Sequence, residues 1–194
     1  MDPVSDERLL EAVVAGETPA LSALVDRYQQ KLTGYLNRLV GPDWALAQDL
    51  AQETFLRVLR QPTNRGERPF KPWLYAIATN LARDYFKSSA VRRSSPLIAE
   101  QENTLVDEAP GPEDQALINE QRAALLAAMN QLGMDYRVTL WLRFYSGLSL
   151  AEIAAIMDSP VGTVKWRLSV GLQRLRNELA ASEIITPIQE AGCE

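Results

Sequence analysis

The sequence predicts an all-α chain: two small helical domains joined by a flexible linker, with the C-terminal domain a helix-turn-helix. Three observations carry that prediction. Apolar residues recur three and four positions apart through most of the chain, and no segment alternates apolar and polar as a half-buried strand would. Capping residues, glycines and prolines punctuate this period where helices would start and stop. Residues 88–112 abandon the period for serines, acids and Ala109-Pro110-Gly111-Pro112, the composition of an extended linker. The predicted units are therefore residues 1–87, the linker 88–112, residues 113–182 and a short tail, 183–194.

The elements follow in order. Ser5 caps a first helix over about Asp6 to Ala15, with Leu9, Leu10, Val13 and Val14 inward and Gly16 as the stop. Thr18-Pro19 opens a longer helix whose apolar face holds Leu24, Tyr28, Leu32, Leu36 and Leu39, ended by Gly41-Pro42. Asp43 caps a third helix to about Arg60, with Leu46, Leu50, Ala51, Phe55, Val58 and Leu59 inward. Residues 61–71 read as an ordered loop, and Pro72 opens a fourth helix through about Lys87, lined by Trp73, Leu74, Ile77, Leu81 and Tyr85. Past the linker, one helix carries Leu117, Leu125, Met129 and Leu132 up to Gly133, and another spans about Asp135 to Tyr145.

The last pair is the most informative. Ser149 and Glu152 form a capping box for a short helix with Ile153, Ala154, Ile156 and Met157 as its stripe. Asp158-Ser159-Pro160 breaks it and starts another, with Ser159 as N-cap and Pro160 at the first helical position. This second helix carries Lys165, Arg167, Arg174 and Arg176 and no acid through Asn177, with Val164, Leu168, Leu172 and Leu175 facing inward. A helix-turn-helix lays such a helix in the DNA major groove. The same pattern also describes a tri-helical core with a solvated basic face.

Composition removes other function classes. The chain has 194 residues, 46% hydrophobic and 23% charged, as in an ordinary globular protein. No apolar run reaches the ~18 residues of a membrane span, so no membrane insertion is expected. The acidic start lacks the cationic, apolar pattern of a secretory signal, and the single cysteine, Cys193, fits a reducing cytoplasm. With no histidine, the usual zinc sites and the Cys-His and Ser-His nucleophilic pairs are excluded. No paired carboxylate or Ser-Lys motif replaces them, so neither an enzyme nor a cofactor is expected.

Net charge is −5, yet the charges are segregated: residues 60–93 sum to +6, and residues 94–120 to −7 without a single base. Such a chain can hold phosphates locally while its acidic strap repels DNA in general. Within the basic segment, Phe70, Trp73, Tyr75, Tyr85 and Phe86 interleave with the cations, a composition that suits unstacked bases and a phosphate backbone. Trp73 and Tyr85 lie in the apolar stripe, where core packing is the expectation for both. On the third helix Asp49, Gln52, Glu53 and Leu56 fall three or four residues apart in one mixed ridge, either a docking ridge or an ordinary solvated face.

Three stretches together resemble a known family. They are Asp49-Leu50-Ala51-Gln52-Glu53-Thr54-Phe55-Leu56-Arg57, then Phe70 through Tyr85 followed by Arg92-Arg93, and Leu148 through Ala154 with Pro160 through Arg167. In order and spacing the chain is similar to the bacterial extracytoplasmic-function (group four) sigma factors, the promoter-specificity subunits of RNA polymerase. The resemblance covers almost everything outside the linker and tail.

It implies that Asp49, Gln52, Glu53 and Leu56 dock on the polymerase clamp helices and that the C-terminal domain meets the flap. It implies melting of the minus-ten element by the N-terminal domain, with Asn80 near a flipped base. Arg68 and Phe70 would then line a pocket loop, and Lys71, Arg83, Lys87, Arg92 and Arg93 would contact the DNA. It implies reading of the minus-thirty-five element by Thr163, Lys165, Trp166, Arg167, Ser169 and Gln173, with Arg174 and Arg176 on phosphates. It further implies an inhibitory anti-sigma protein.

The chain departs from the family pattern at Trp166, where small polar residues are common, and at Val170 and Leu172, where arginine often occurs. Trp166 could touch a thymine methyl, a sugar, the flap or a neighbouring helix. Two rivals remain: a dimeric repressor on a palindrome, which leaves the segment around Trp73 and Asn80 unexplained, and a decoy that binds polymerase without opening DNA.

Overall fold

A computed structural model describes residues 4–41, 43–61, 68–92 and 112–181. Four helices build the N-terminal half: α1 (Asp6–Val14), α2 (Thr18–Val40), α3 (Trp44–Arg60) and α4 (Phe70–Arg92). The C-terminal half holds α5 (Pro112–Gln131), α6 (Met134–Leu140) continued by a π-helical turn (Trp141–Tyr145), α7 (Leu150–Ile156) and α8 (Val161–Ala181). No strand occurs among the described residues, so the all-helical class holds.

The N-terminal half forms because each amphipathic helix has a partner for its stripe. Leu24, Leu32, Leu36 and Leu39 of α2, Ala51, Phe55 and Val58 of α3, and Leu74 and Ala78 of α4 are buried together. Ser5 accepts a hydrogen bond from the Arg8 amide (3.3 Å) and Asp43 from the Leu46 amide (2.9 Å), so both predicted caps operate.

Several boundaries move, each for a local reason. Helix α4 starts two residues before Pro72, because the Pro69 carbonyl accepts from the Trp73 amide (3.2 Å). Pro72 then sits in the first turn, where its missing N–H leaves nothing unpaired. The Phe70 amide at this end is satisfied from α1, donating to Glu7 Oε1 at 3.2 Å. At the other end α4 runs to Arg92 rather than Lys87. Ser88 Oγ bonds the Tyr85 carbonyl (2.8 Å), so this serine turns back on the helix instead of breaking it. The predicted linker thus loses residues 88–92 to α4 and Pro112 to α5; the rest of it, 93–111, and residues 182–194 lie outside the described residues.

The helix predicted over Asp135 to Tyr145 is α-helical only to Leu140. The Ser146 amide then bonds the Trp141 carbonyl five residues back (3.0 Å), a π-turn that inserts one residue into the ladder. In the helix-turn-helix, the capping box is present in both directions: Ser149 N to Glu152 Oε2 at 2.8 Å and Glu152 N to Ser149 Oγ at 3.3 Å. Asp158 makes the turn at φ 48°, a left-handed position that aspartate tolerates better than most side chains. Ser159 is not the N-cap. Its hydroxyl bonds the Met157 carbonyl and the Arg167 guanidinium, and the Pro160 carbonyl accepts the first helical bond, so α8 begins at Val161.

The two halves are in contact. The apolar core runs without a break from Leu74 and Tyr75 to Val138, Leu142, Ile153 and Met157, with α4 packed on α7 and α2 on the π-turn. At Gly34, in the middle of α2, an added Cβ would lie 2.2 Å from the Tyr145 hydroxyl oxygen. Glycine therefore sets how closely the C-terminal half approaches.

Candidate nucleic-acid interface

The ridge on α3 forms as its spacing requires. Asp49, Gln52 and Leu56 are exposed, and Leu59, expected inward, is exposed as well and extends the apolar part. Glu53 is half-buried and occupied by its own helix, accepting from Arg57 Nε at 3.1 Å with Arg60 at 3.6 Å. These neighbours hold its carboxylate toward the C-terminal end of α3 and leave Asp49 as the outward acid of the ridge.

At that end of α3 a cleft of about 410 Å³ opens between α3 and α4, lined by Arg57, Arg60, Gln61, Trp73, Ile77 and Asn80. Asn80 is exposed at its rim while Trp73 forms a buried wall. The arrangement offers two cations, an amide with both donor and acceptor, and an apolar side. Arg57 and Arg60 were absent from the residues expected in a pocket. The signal for them was present, since both are cations in the last turn of α3, directly before the loop that leads to α4.

Other aromatics of the basic segment fall differently. Phe70, expected to line a pocket loop, is fully buried, edge-on to Tyr28 and Trp73 with ring centroids 5.5 and 6.2 Å away. It opens α4 from inside the core and is out of reach of any base. Tyr75 is buried against Tyr35 (5.2 Å), and the Tyr35 hydroxyl is within 2.8 Å of Thr79 Oγ1. Burial pushes the Tyr35 and Tyr75 phenols above their ordinary range; burial and then the Asp6 carboxylate do the same for Tyr28. Trp73 is core, as its stripe position predicts. Tyr85, predicted to be core as well, is 37% exposed and meets the Phe86 ring.

The cations separate into two groups. Arg68 and Lys87 are exposed. Lys71 and Arg83 reach the other half: Lys71 Nζ donates to the Ser146 carbonyl (2.7 Å), and Arg83 Nη2 to Asp135 Oδ1 (2.9 Å). The Arg92 side chain and all of Arg93 lie outside the described residues.

Along α8, Lys165, Trp166, Ser169, Gln173, Arg174 and Arg176 are exposed and Thr163 is half-buried. Gln173 Nε2 donates to Asn177 Oδ1 at 3.2 Å. Trp166 is 56% exposed and rests its ring near Tyr136 of α6 (5.9 Å), and Arg174 stands over the same tyrosine at 4.7 Å. Of the alternatives left open for Trp166, the neighbouring-helix contact is the one present.

Two corrections follow from packing. Leu172, expected inward, is 38% exposed, and the inward position belongs to Gly171, where a Cβ would meet Leu140 at 3.3 Å. Arg167, expected on the DNA face, is turned in: Nη2 donates to Asp135 Oδ2 (2.9 Å) and Nη1 to Ser159 Oγ (3.1 Å), so it ties α8 to α6 and the turn.

Residues 24–92 match the family Sigma-70 region 2, and residues 122–175 match Sigma-70, region 4. The "ECF RNA polymerase sigma-E factor" of Haemophilus influenzae is 34% identical over 185 residues, covering 92% of this chain and 97% of that protein. Its counterpart in Escherichia coli K12 is 35% identical over 185 residues, 92% and 96% of the two chains. Among solved structures, CnrH in complex with the cytosolic domain of CnrY superposes with a TM-score of 0.69 at 22% identity, over 92% of this chain and 99% of that one. The sigma factor RpoE in complex with the anti-sigma factor NepR from Bartonella quintana gives 0.63 at 22%, over 82% and 96%. At that identity the structures establish the common fold.

Proposed function

This chain belongs to the extracytoplasmic-function RNA polymerase sigma factors, and we propose that it directs the core enzyme to promoters by dividing recognition between its halves. The N-terminal half through the end of α4 acts as the region two unit, the C-terminal half from the start of α5 as the region four unit, and the stretch between them as their connection. Asp49, Gln52, Glu53 and Leu56 carry the contact to the clamp helices, with Glu53 held in place by Arg57 and Arg60. The region four unit reads duplex DNA through the exposed face of α8: Thr163, Lys165, Trp166, Ser169 and Gln173 at the bases, Arg174 and Arg176 at phosphates. Arg167 serves that face by bracing it.

The observation that carries the reading is the cleft at Asn80. An exposed amide, two arginines and a tryptophan wall surround a space ample for one flat base. Extrusion of a base costs a few kcal/mol of stacking, which the arginines offset at flanking phosphates and Asn80 at the base edge. Arg68, Lys71, Arg83, Lys87, Arg92 and Arg93 supply the remaining contacts of the parted strand. Each half alone binds DNA weakly, and carriage on one polymerase raises the effective concentration of both at the promoter.

The chain performs no covalent chemistry of its own and acts in the cytoplasm, where polymerase and promoters are. No described helix is long and apolar enough to cross a membrane. An anti-sigma protein covers its polymerase-binding surfaces, a reading supported by the sigma factor of the same fold solved with an anti-sigma factor.

The test is run-off transcription with the purified chain, core polymerase and candidate promoters. Specific transcripts support the reading. Polymerase binding without transcripts returns the decoy, and palindrome binding by the isolated chain returns the repressor. Asn80→Ala removes the amide from the cleft, and permanganate reactivity of the melted region then drops while closed-complex formation persists. Unchanged reactivity refutes the role of Asn80.

A further inference from the structure

Tyr136 stands in the first turn of α6, and its surroundings tie it to α8. A Cβ at Gly171 would lie 3.5 Å from the Tyr136 Cβ, so the glycine lets the two helices close at this point. The Tyr136 ring meets the Trp166 ring at 5.9 Å, tilted by 51°, and the Arg174 guanidinium stands over it at 4.7 Å. The preceding residue, Asp135, holds Arg167 at 2.9 Å. One turn of α6 thus engages three side chains of α8.

Trp166 and Arg174 lie about two turns apart on α8, and both are exposed. Long side chains on an open helix face sample several rotamers, and freezing them on binding lowers affinity. Here a single half-buried ring touches both of them. A cation at a ring face uses none of the five N–H donors of a guanidinium, so they stay available to a phosphate. A tryptophan held against a neighbouring helix, and still more than half open, offers a flat apolar surface in one orientation.

We propose that Tyr136 is the positioning residue of the duplex-reading face, its ring setting Trp166 toward the bases and Arg174 toward a phosphate before DNA arrives. Base preference at the upstream element then depends on a residue of α6, outside the helix that reads it. The inference rests on the reading of α8 as the duplex-reading helix.

The experiment uses the full chain assembled with core polymerase and a duplex library randomised at the upstream element; the sequence that the wild-type holoenzyme enriches is then the probe for affinity. Tyr136→Leu keeps an apolar side chain beside Gly171 and removes the ring. It should bind the probe about two- to fivefold more weakly, the size of one exposed cation–π contact, and select a flatter base preference. Tyr136→Phe keeps the ring and should restore both. Tyr136→pentafluorophenylalanine keeps shape and bulk while withdrawing the negative ring face, so it should lose affinity for the probe without loss of melting temperature, even if Tyr136→Leu folds poorly.

The decisive background is the chain carrying Trp166→Ala and Arg174→Ala, both at exposed positions. There Tyr136→Leu should add no further loss. An equal loss in that background overturns the proposal, because Tyr136 then acts through the fold alone. Wild-type affinity and preference in the fluorinated variant overturn it as well. If the wild-type holoenzyme enriches a sequence while these tests fail, the positioning role is wrong and the promoter reading stands. If it enriches none, the reading itself fails and the positioning role falls with it.

Discussion

Gly34→Ala is the sharpest probe of how the halves meet. In an isolated helix, alanine is favoured over glycine by about 1 kcal/mol, so a free α2 would gain stability. In the closed chain the new methyl lands 2.2 Å from the Tyr145 hydroxyl oxygen and 3.2 Å from its ring carbon. Ordinary contact therefore requires the hydroxyl to recede by roughly 1 Å. That oxygen ends a rigid ring on which the Arg38 guanidinium already rests, 4.1 Å from the centroid. Overpacking of this kind costs about 1–3 kcal/mol, and a displaced ring forfeits part of a cation–π contact of about 0.5–1 kcal/mol. The net effect expected in the closed chain is a loss of up to about 3 kcal/mol once the helix gain is set against these terms. Tyr145→Phe removes the clashing oxygen and lets the helix gain show. A double-mutant cycle by urea unfolding should therefore give a coupling of about 1–2 kcal/mol between positions 34 and 145. If Gly34→Ala is equally stabilising in both backgrounds, Tyr145 does not lie against α2 in solution and the closed arrangement is wrong.

Alkaline pH provides a second handle, because burial raises the phenols of Tyr28, Tyr35 and Tyr75 above their unfolded value near 10. Folding keeps these groups protonated, so their effect is nil below pH 10. Stability falls as pH rises past 10 toward the folded values, by up to about 1.4 kcal/mol per unit for each phenol. Urea unfolding at pH 9 and 11 should show the drop, shallower in Tyr35→Phe; an unchanged slope would mean that the Tyr35 hydroxyl is wet. The two arginines of α8 should separate cleanly. Arg167→Ala leaves Asp135 Oδ2 without its donor and removes the bond to Ser159 Oγ, and should lower the melting temperature by several degrees, at about 1–3 kcal/mol. Arg176→Ala should leave melting unchanged and reduce the salt slope of duplex binding by about one. A reversal of these two phenotypes would return Arg167 to the DNA face.

What the sequence made legible was local. The caps at Ser5, Asp43 and Ser149 are side-chain-to-amide bonds three residues long, and all three form as the spacing predicts. Inward stripes on α2 and α3 were equally readable, since Leu24, Leu32, Leu36 and Phe55 need only a partner surface, whichever one it is. The misreadings share a different character. Phe70 looked like a base-stacking aromatic because it stands among cations, yet Tyr28 of a helix forty residues earlier closes over it. Arg167 looked like a DNA cation until Asp135, thirty-two residues away, turned it inward. Leu172 was assigned inward because leucine is apolar, and its place is taken by Gly171, which lets α8 approach Leu140. Each depends on a distant surface that no single segment records.

The contact between halves was the largest thing left open, and its chemistry explains why. Its polar links among the described residues include one ion pair, one ammonium-to-carbonyl bond and guanidinium–ring contacts, each worth on the order of 1 kcal/mol or less where partly exposed. Links of that size leave no motif, because many residue pairs could supply them. An interface that must yield to polymerase and DNA has to be weaker than the contacts replacing it, yet joined through one chain it needs no great affinity to stay closed. Gly34 fits the same logic: a glycine inside a long helix costs α2 about 1 kcal/mol, a cost recovered only while Tyr145 is docked against it. The sequence therefore carries a sign of the closed state after all, in a residue that the helical pattern alone would count as a defect.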